Sequence, residues 1–573
     1  MNKSYVQKLP EAIGMMEKLE EIHGNNCKAL KMIPSDIGRL PLLKILALTA
    51  IFVENVPELP QSLISLCLSS RAVGKVPEIY NRVNLPSLRN LELCFGKDND
   101  ETFVYYESER QPHAFSSSRM KLLNITSVTS FGGWFHCARE LELIWCETLC
   151  QIQHLPSGLR KLKIRDCSLL EVVDLSNLEN LLALSLLNNQ NCHIQGLEGL
   201  ALLQCLNVYN CKSSKFNGLE RLKNLQLLQL KMCPSLKKLS NLSNLKNLKE
   251  FELWDCPKLV DIEGLDRLKS LEMLDIQCCS SLQSLLGLSH LEKLKNQHQI
   301  QQLPSGLREL TISYYHLLDV VNLSNLKNLK EFELRNCLKP VEIEGLDKLE
   351  SLERLVIHCC SSLQSLLDLS HLKKLKNLRQ LQPLPSGLRN LTISYCHLLE
   401  VVDLSNLKNL KEFELRDCLK LVEIEGIDRL DSLERLDIQC CNSLQSLADL
   451  SHLKKVKNLC QIQQLPSGLR KLKITYCHLL EVVDLSNLEN LLELSLINNQ
   501  ICDIQGLGGL ASLQCLRVDN CKASKFSGLD RLKNLQLLQL RMCWFLQTLP
   551  DLSNFKNLKD VELWYCPELV QIE

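Results

Sequence analysis

Apolar residues recur along this chain in a fixed nine-residue frame, Leu-x-x-Leu-x-Leu-x-x-Cys. The frame begins at Leu159, Leu203, Leu225, Leu248, Leu271, Leu329, Leu352, Leu388, Leu410, Leu433, Leu469, Leu513 and Leu535. Its inner Leu-x-Leu alternation has a period of two, the mark of a short strand with one buried face. The x-x-Leu-x-x-Leu spacing that follows returns the chain along the other side. Successive frames are usually 22 or 23 residues apart, but three steps, from Leu271 to Leu307, Leu352 to Leu388 and Leu433 to Leu469, take 36 residues. Each long step ends in Leu-Pro-Ser-Gly-Leu-Arg. With the less regular frames near the N-terminus, the chain holds about 23 repeats.

This is the pattern of a leucine-rich repeat, and it predicts an α/β-type solenoid: a leucine-rich-repeat horseshoe with parallel strands on its concave face. A 22- or 23-residue step leaves too little chain for a full helix, so short 3₁₀ turns and extended segments are expected on the convex side. Each repeat forms one coil, and neighbouring strands hydrogen-bond about 4.8 Å apart. Positions 3, 5, 7 and 8 of the frame are expected to face the concave side. Along the chain, irregular repeats occupy 1–96, a polar insertion loop 97–118, and regular repeats 119–573. The unit starting at Leu558 ends at Glu573 without a polar cap, which suggests truncation at the C-terminus and predicts an exposed leucine face there. Periodicity leaves open whether the 36-residue steps hide a degenerate repeat.

The ninth position often holds an asparagine whose side chain satisfies backbone groups of the turn after the strand, and Asn189 and Asn499 keep it. Elsewhere it is cysteine: Cys167, Cys211, Cys233, Cys256, Cys279, Cys337, Cys360, Cys396, Cys418, Cys441, Cys477, Cys521, Cys543 and Cys566. A thiol is small, tolerates burial and donates weakly, so these residues form a structural ladder. The adjacent pairs Cys278-Cys279, Cys359-Cys360 and Cys440-Cys441 lack a C-x-x-C spacing. On a strand they point to opposite faces, so no metal site is expected and the outward Cys278, Cys359 and Cys440 are open to oxidation.

Composition narrows the partners. Lys+Arg and Asp+Glu both total 66, so no net positive field is available for nucleic acid or an anionic membrane. The first residues lack a basic segment followed by an apolar one, and no apolar run approaches about 18 residues, so a soluble intracellular protein with reduced thiols is expected among its 28 cysteines. The sequons at Asn124 and Asn390 carry little weight against this. No His-Glu-x-x-His, Gly-x-Ser-x-Gly or paired C-x-x-C motif is present, so neither an enzyme nor a cofactor is expected. His316, His397 and His478 recur because their blocks recur and are expected on the convex side or in turns. The runs Lys373-Lys374-Leu375-Lys376 and Lys454-Lys455-Val456-Lys457 read as solvated faces.

The array also repeats in blocks. Leu-Pro-Ser-Gly-Leu-Arg begins at 155, 303, 384 and 465, the last three copies 81 residues apart, and residues 155–233 match 465–543 with 15 differences. Seven differences fall at concave positions: Arg165/Thr475, Asp166/Tyr476, Ala183/Glu493, Leu187/Ile497, Asn207/Arg517, Tyr209/Asp519 and Lys231/Arg541. The concave face is the candidate site. Position 7 supplies Tyr209, Trp254, Arg335, His358, Arg416, Arg541 and Trp564, and position 8 supplies Tyr314, Tyr395, Tyr476 and Tyr565. Aromatic and arginine side chains carry most of the energy at protein interfaces. The alternative is that they stack on one another and stiffen the sheet.

The Cys-ended repeats, the Leu-Pro-Glu-Ala-Ile-Gly opening at 9–14 and the Ile-Pro-Ser-Asp-Ile-Gly-Arg-Leu segment at 33–40 resemble the repeat region of plant intracellular nucleotide-binding disease-resistance proteins, particularly those with a TIR domain. The resemblance implies a cytoplasmic sensor, with the nucleus as a second location, whose protein ligand is a pathogen effector or a guarded host protein. No Gly-x-x-x-x-Gly-Lys-Ser/Thr loop is present, so only the sensor half of such a receptor is expected here. A free-standing scaffold or ubiquitin-ligase substrate adaptor is the alternative. That class usually has repeats near 26 residues and a helical adaptor-binding motif, and neither is seen. The sequence leaves the oligomeric state open.

Overall fold

The computed structural model describes residues 6–24, 27, 29–51, 56–70, 87–88, 90–95, 119–123, 139–144, 151–152, 155–213, 215–282, 303–314, 320–336, 342–359, 384–397, 399–444, 465–478, 482–499, 501 and 503–572. They fall into two compact units, one within 1–271 and one within 272–573. Both are parallel-strand leucine-rich-repeat solenoids. The polar stretch 97–118, both lysine runs, His316, Cys337 and Cys360 lie outside the described residues.

In the first unit eleven described strands, from Glu21–Gly24 to Glu250–Trp254, pair in parallel, each with the next. In the second, twelve run from Met273–Gln277 to Asp560–Trp564 in the same way. The register aligns equivalent frame positions, as in Ala183 with Cys205 and Leu184 with Leu206. Leucines therefore stack on leucines. Positions 1, 4, 6 and 9 are buried, as Leu159, Leu162, Ile164 and Cys167 show, and the larger Phe251, Phe332 and Phe413 fill position 4 in three coils. Burying one such side chain stabilises by roughly 1.5–3 kcal/mol, and the repetition makes the core continuous within each unit.

The strand ladder runs directly across the long steps. Met273 pairs directly with Glu309, Arg354 with Asn390 and Arg435 with Lys471, so the added residues leave the strand ladder uninterrupted.

On the return side the described residues form short 3₁₀ turns, such as Leu197–Gly199 and Ile427–Arg429, and two- or three-residue extended pairs, such as Val401–Asp403 with Glu423–Glu425. No α-helix occurs among the described residues. Glycine opens several of these turns because two coils nearly touch there. Gly426 has φ +74°, and a Cβ on it would lie 2.5 Å from the backbone of Ser405. At the last strand, Asp560–Trp564, Val561 is exposed where interior coils bury the same position.

One expectation needs correction. Position 8 does not extend the strand: from Asp166 to Tyr565 it adopts left-handed backbone, with φ between 48° at Met542 and 58° at Asn188. Its N–H still donates to the position-7 carbonyl of the next coil, as Tyr395 does to Arg416 at 2.7 Å. The chain then turns and drives position 9 inward. Cys278, Cys359 and Cys440 are therefore half-buried residues of a turn, not outward residues of a strand.

Candidate protein-binding face

Position 9 builds the turn beneath the face. The Asn189 side-chain oxygen accepts the N–H of Cys167 at 3.0 Å, and its amide donates to the Ile164 carbonyl at 2.8 Å. Asn499 repeats this with Cys477 at 2.9 Å and Ile474 at 2.8 Å. The described ladder cysteines are free thiols, all buried except the half-buried Cys566. Their S–H groups donate to nearby carbonyls, as Cys279 does to Gln277 at 3.4 Å and Cys521 to Ile501 at 3.0 Å. Burial is the main cause that pushes the Cys477 thiol up to about 11 and Cys192, outside the ladder, up to about 12, so both stay protonated and unreactive. Among the described residues no group of three or more His, Cys, Asp or Glu side chains is placed to hold a metal, and no helix is long and apolar enough to cross a membrane.

A second polar ladder escaped the sequence reading. The asparagine preceding position 1 donates to a carbonyl of the coil before it: Asn224 to Ala201 at 2.9 Å, Asn247 to Lys223 at 2.9 Å, Asn409 to Ser386 at 3.0 Å and Asn534 to Ala511 at 2.8 Å. The recurrent Asn-Leu dipeptide at the start of the frame was its available signal.

In the first unit, position 7 aligns Arg165, Leu187, Tyr209, Lys231 and Trp254 on consecutive strands. Tyr209 is half-buried and Trp254 exposed, with Lys231 between them held by Glu252 at 2.5 Å. Beside them lies a trough of about 400 Å³, floored by Ala183, Ser185, Cys205 and Asn207. Lys161 and Lys163 wall one side together with the carboxylates they pair with, Glu140 at 3.1 Å and Glu142 at 2.7 Å. Leu227 and Gln229 wall the other.

In the second unit the expected arginines are already engaged. Arg335 holds Glu333 at 2.7 Å, Arg416 pairs with Glu414, and Arg541 clamps both oxygens of Glu562 at 2.8 and 2.7 Å. The Arg541 clamp keeps the Glu562 carboxyl below the usual carboxylate range. His358 Nδ1 lies 2.6 Å from Ser394 Oγ, and its ring meets Tyr395 edge-on at 5.1 Å. Burial first, then Arg335 and Arg416, hold the His358 pKa down. The Asp417 carboxylate, the largest cause, pushes the Tyr395 phenol up.

Most of the aromatic residues expected on the face are solvent-exposed. Besides Trp254, Tyr314, Tyr395, Tyr476, Trp564 and Tyr565 range from 40% to 61% exposed. Tyr314, Tyr395 and Tyr476 are not neighbours: each is three rungs from the next, and each stands on the left-handed turn rather than on the strand. Among the described residues, members of the expected set meet ring to ring at His358 and Tyr395 and again where Trp564 and Tyr565 lie 6.3 Å apart, and Trp544, unforeseen in the sequence, meets Tyr565 edge-on at 5.0 Å. His397 and His478 lie in the turn after position 9.

No family model and no curated protein matches the chain. Among solved structures it is similar to a leucine-rich-repeat protein of Leptospira interrogans, at 21% identity and a TM-score of 0.42 over 67% of this chain and 90% of that one. It is also similar to YopM of Yersinia enterocolitica, at 17% identity and a TM-score of 0.47 over 96% of this chain and 91% of that one. The functional domain of InlJ from Listeria monocytogenes, described as including a cysteine ladder, matches at 17% identity and a TM-score of 0.39 over 71% of this chain and 70% of that one.

Proposed function

We propose that this chain is a non-catalytic protein-recognition solenoid, the effector-sensing repeat region of a plant innate immune receptor acting in the cytoplasm. Its ligand is a protein, either a pathogen effector or a guarded host protein, bound on the strand face. The observation that carries the recognition reading is the exposure of large aromatic side chains, Trp254 foremost, on a face whose strands are already fully paired and whose core is already filled. Such side chains have no remaining structural task, and they are the types that anchor interfaces. The ion-paired arginines fit the same reading, since a fork held by Glu562 is fixed in place before a partner arrives.

The test is capture of a partner from the source tissue by the full chain, with Tyr209→Ala/Trp254→Ala compared against the return-side pair Glu198→Ala/Arg221→Ala. The strand-face pair should reduce capture at least tenfold and the return-side pair should leave it unchanged. Equal effects from the two pairs would sink the assignment of the face.

A further inference from the structure

The trough in the first unit has an internal control, because the chain carries a second copy of the same block 310 residues on. Lys161, Lys163, Ser185, Cys205, Leu227 and Gln229 recur as Lys471, Lys473, Ser495, Cys515, Leu537 and Gln539, whereas the floor residues Ala183 and Asn207 become Glu493 and Arg517. The exchange alters the partner of one of the two lysines, since Lys473 still pairs back to Asp437 of the preceding coil at 3.6 Å, as Lys163 does to Glu142. In the second copy Glu493 reaches Lys471 at 2.8 Å. In the first copy Ala183 offers no such partner, and Lys161 and Lys163 pair away from the floor with Glu140 and Glu142. The first copy carries alanine and asparagine on the floor where the second carries Glu493 and Arg517.

What the opening accepts follows from its lining. Each lysine is matched by a glutamate, so the charges cancel in pairs and a charged ligand gains nothing there that those pairs do not already satisfy. The floor is apolar at Ala183 and Cys205, with Leu227 on the wall beside them. The side chains of Ser185 and Asn207 line the space and have no hydrogen-bond partner among the described residues. Tyr209, on the same strand as Asn207, stands at its margin. A volume of about 400 Å³ sits at the small end of the roughly 300–1,000 Å³ range of ligand pockets, enough for one large side chain and its adjoining backbone.

We infer that this trough is the specificity pocket of the strand face and takes one large uncharged side chain of a protein partner, tryptophan or phenylalanine in size, whose backbone amide meets Ser185 and Asn207. The inference rests on the protein-recognition reading but is tested without a partner. N-acetyl-L-tryptophanamide, N-acetyl-L-argininamide and N-acetyl-L-aspartic acid α-amide, which keeps its side-chain carboxylate, are titrated against the full chain by saturation-transfer NMR. The tryptophan probe should bind saturably and the charged probes at least tenfold more weakly. Ala183→Glu/Asn207→Arg, which copies the second block and is therefore compatible with the coil, should weaken the tryptophan probe at least tenfold. Ala183→Gln, an uncharged filler, should do the same and guards against misfolding of the double variant. The reverse change, Glu493→Ala/Arg517→Asn, should add a second site. Unchanged binding in both filled variants, or charged probes binding as tightly as the tryptophan probe, would overturn the pocket. A chain that captures a partner through Trp254 yet ignores the probe refutes the pocket alone. One that binds the probe but shows no strand-face dependence of capture refutes the wider reading.

Discussion

The side-chain oxygen of Asn189 accepts the backbone N–H of Cys167 from the preceding coil at 3.0 Å, while its amide donates to a carbonyl two residues inside that coil's strand. One buried amide thus closes two backbone groups across a coil boundary. Asn189→Ala leaves both without a partner, and an orphaned buried polar group costs about 1–3 kcal/mol. A loss of at least 2 kcal/mol is expected for Asn189→Ala, and the same for Asn499→Ala, measured by urea unfolding of the full chain. A change below about 0.5 kcal/mol would mean the bonds are replaced by water.

The left-handed turn at position 8 sets a second expectation. Met542 occupies φ 48°, where a β-branched side chain is strained and asparagine is tolerated. Met542→Val should be less stable than Met542→Asn by about 1 kcal/mol in thermal unfolding. Equal stabilities would show that the turn relaxes.

Glycine substitutions separate close approach from simple flexibility. Gly426→Ala places a methyl 2.5 Å from the Ser405 backbone at φ +74°, whereas the nearest atom to a methyl on Gly199 is 3.8 Å away. Gly426→Ala should cost roughly 2 kcal/mol or more and Gly199→Ala less than about 0.5 kcal/mol. Similar costs for the two would contradict the coil-to-coil contact.

His358 gives the pH dependence. Its folded pKa lies below the ordinary 6.5 because of burial and the flanking Arg335 and Arg416. As pH falls, the unfolded chain therefore takes up this proton first. The contribution to stability is complete above about pH 6.5 and is lost as pH drops through the folded value. His358→Gln copies the residue at the equivalent Gln277 and Gln439, and it should flatten the stability profile below pH 6.5. An NMR titration placing His358 at or above 6.5 would contradict the burial argument.

Much of the coil was legible because its physics is periodic. The Leu-x-Leu alternation fixed the strand and its buried face, and the short repeat excluded a return helix, as the turn at Leu197–Gly199 shows. The role of Asn189 followed from one polar side chain at a buried position. Position 8 was not legible: tyrosine, cysteine, methionine and asparagine all occur there, and a strand pattern carries no mark of where the backbone turns left-handed. The arginines were legible as face residues but not as paired ones, since Arg335 and Glu333 meet only because alternate strand residues share a face. The trough was half legible, because the Ala183/Glu493 and Asn207/Arg517 differences stood on the right face while their effect on volume needed coordinates.

The recognition face itself is tested most directly by site-specific photo-crosslinking in cells of the source organism. A benzophenone amino acid is placed singly at Tyr209, Trp254, Glu198 or Arg221 of the full chain, and adducts are read by mass spectrometry. The expected result is one protein crosslinked from Tyr209 and Trp254 and none from the return-side positions Glu198 and Arg221. Adducts from the return side alone, or equally from all four, would contradict recognition through the strand face.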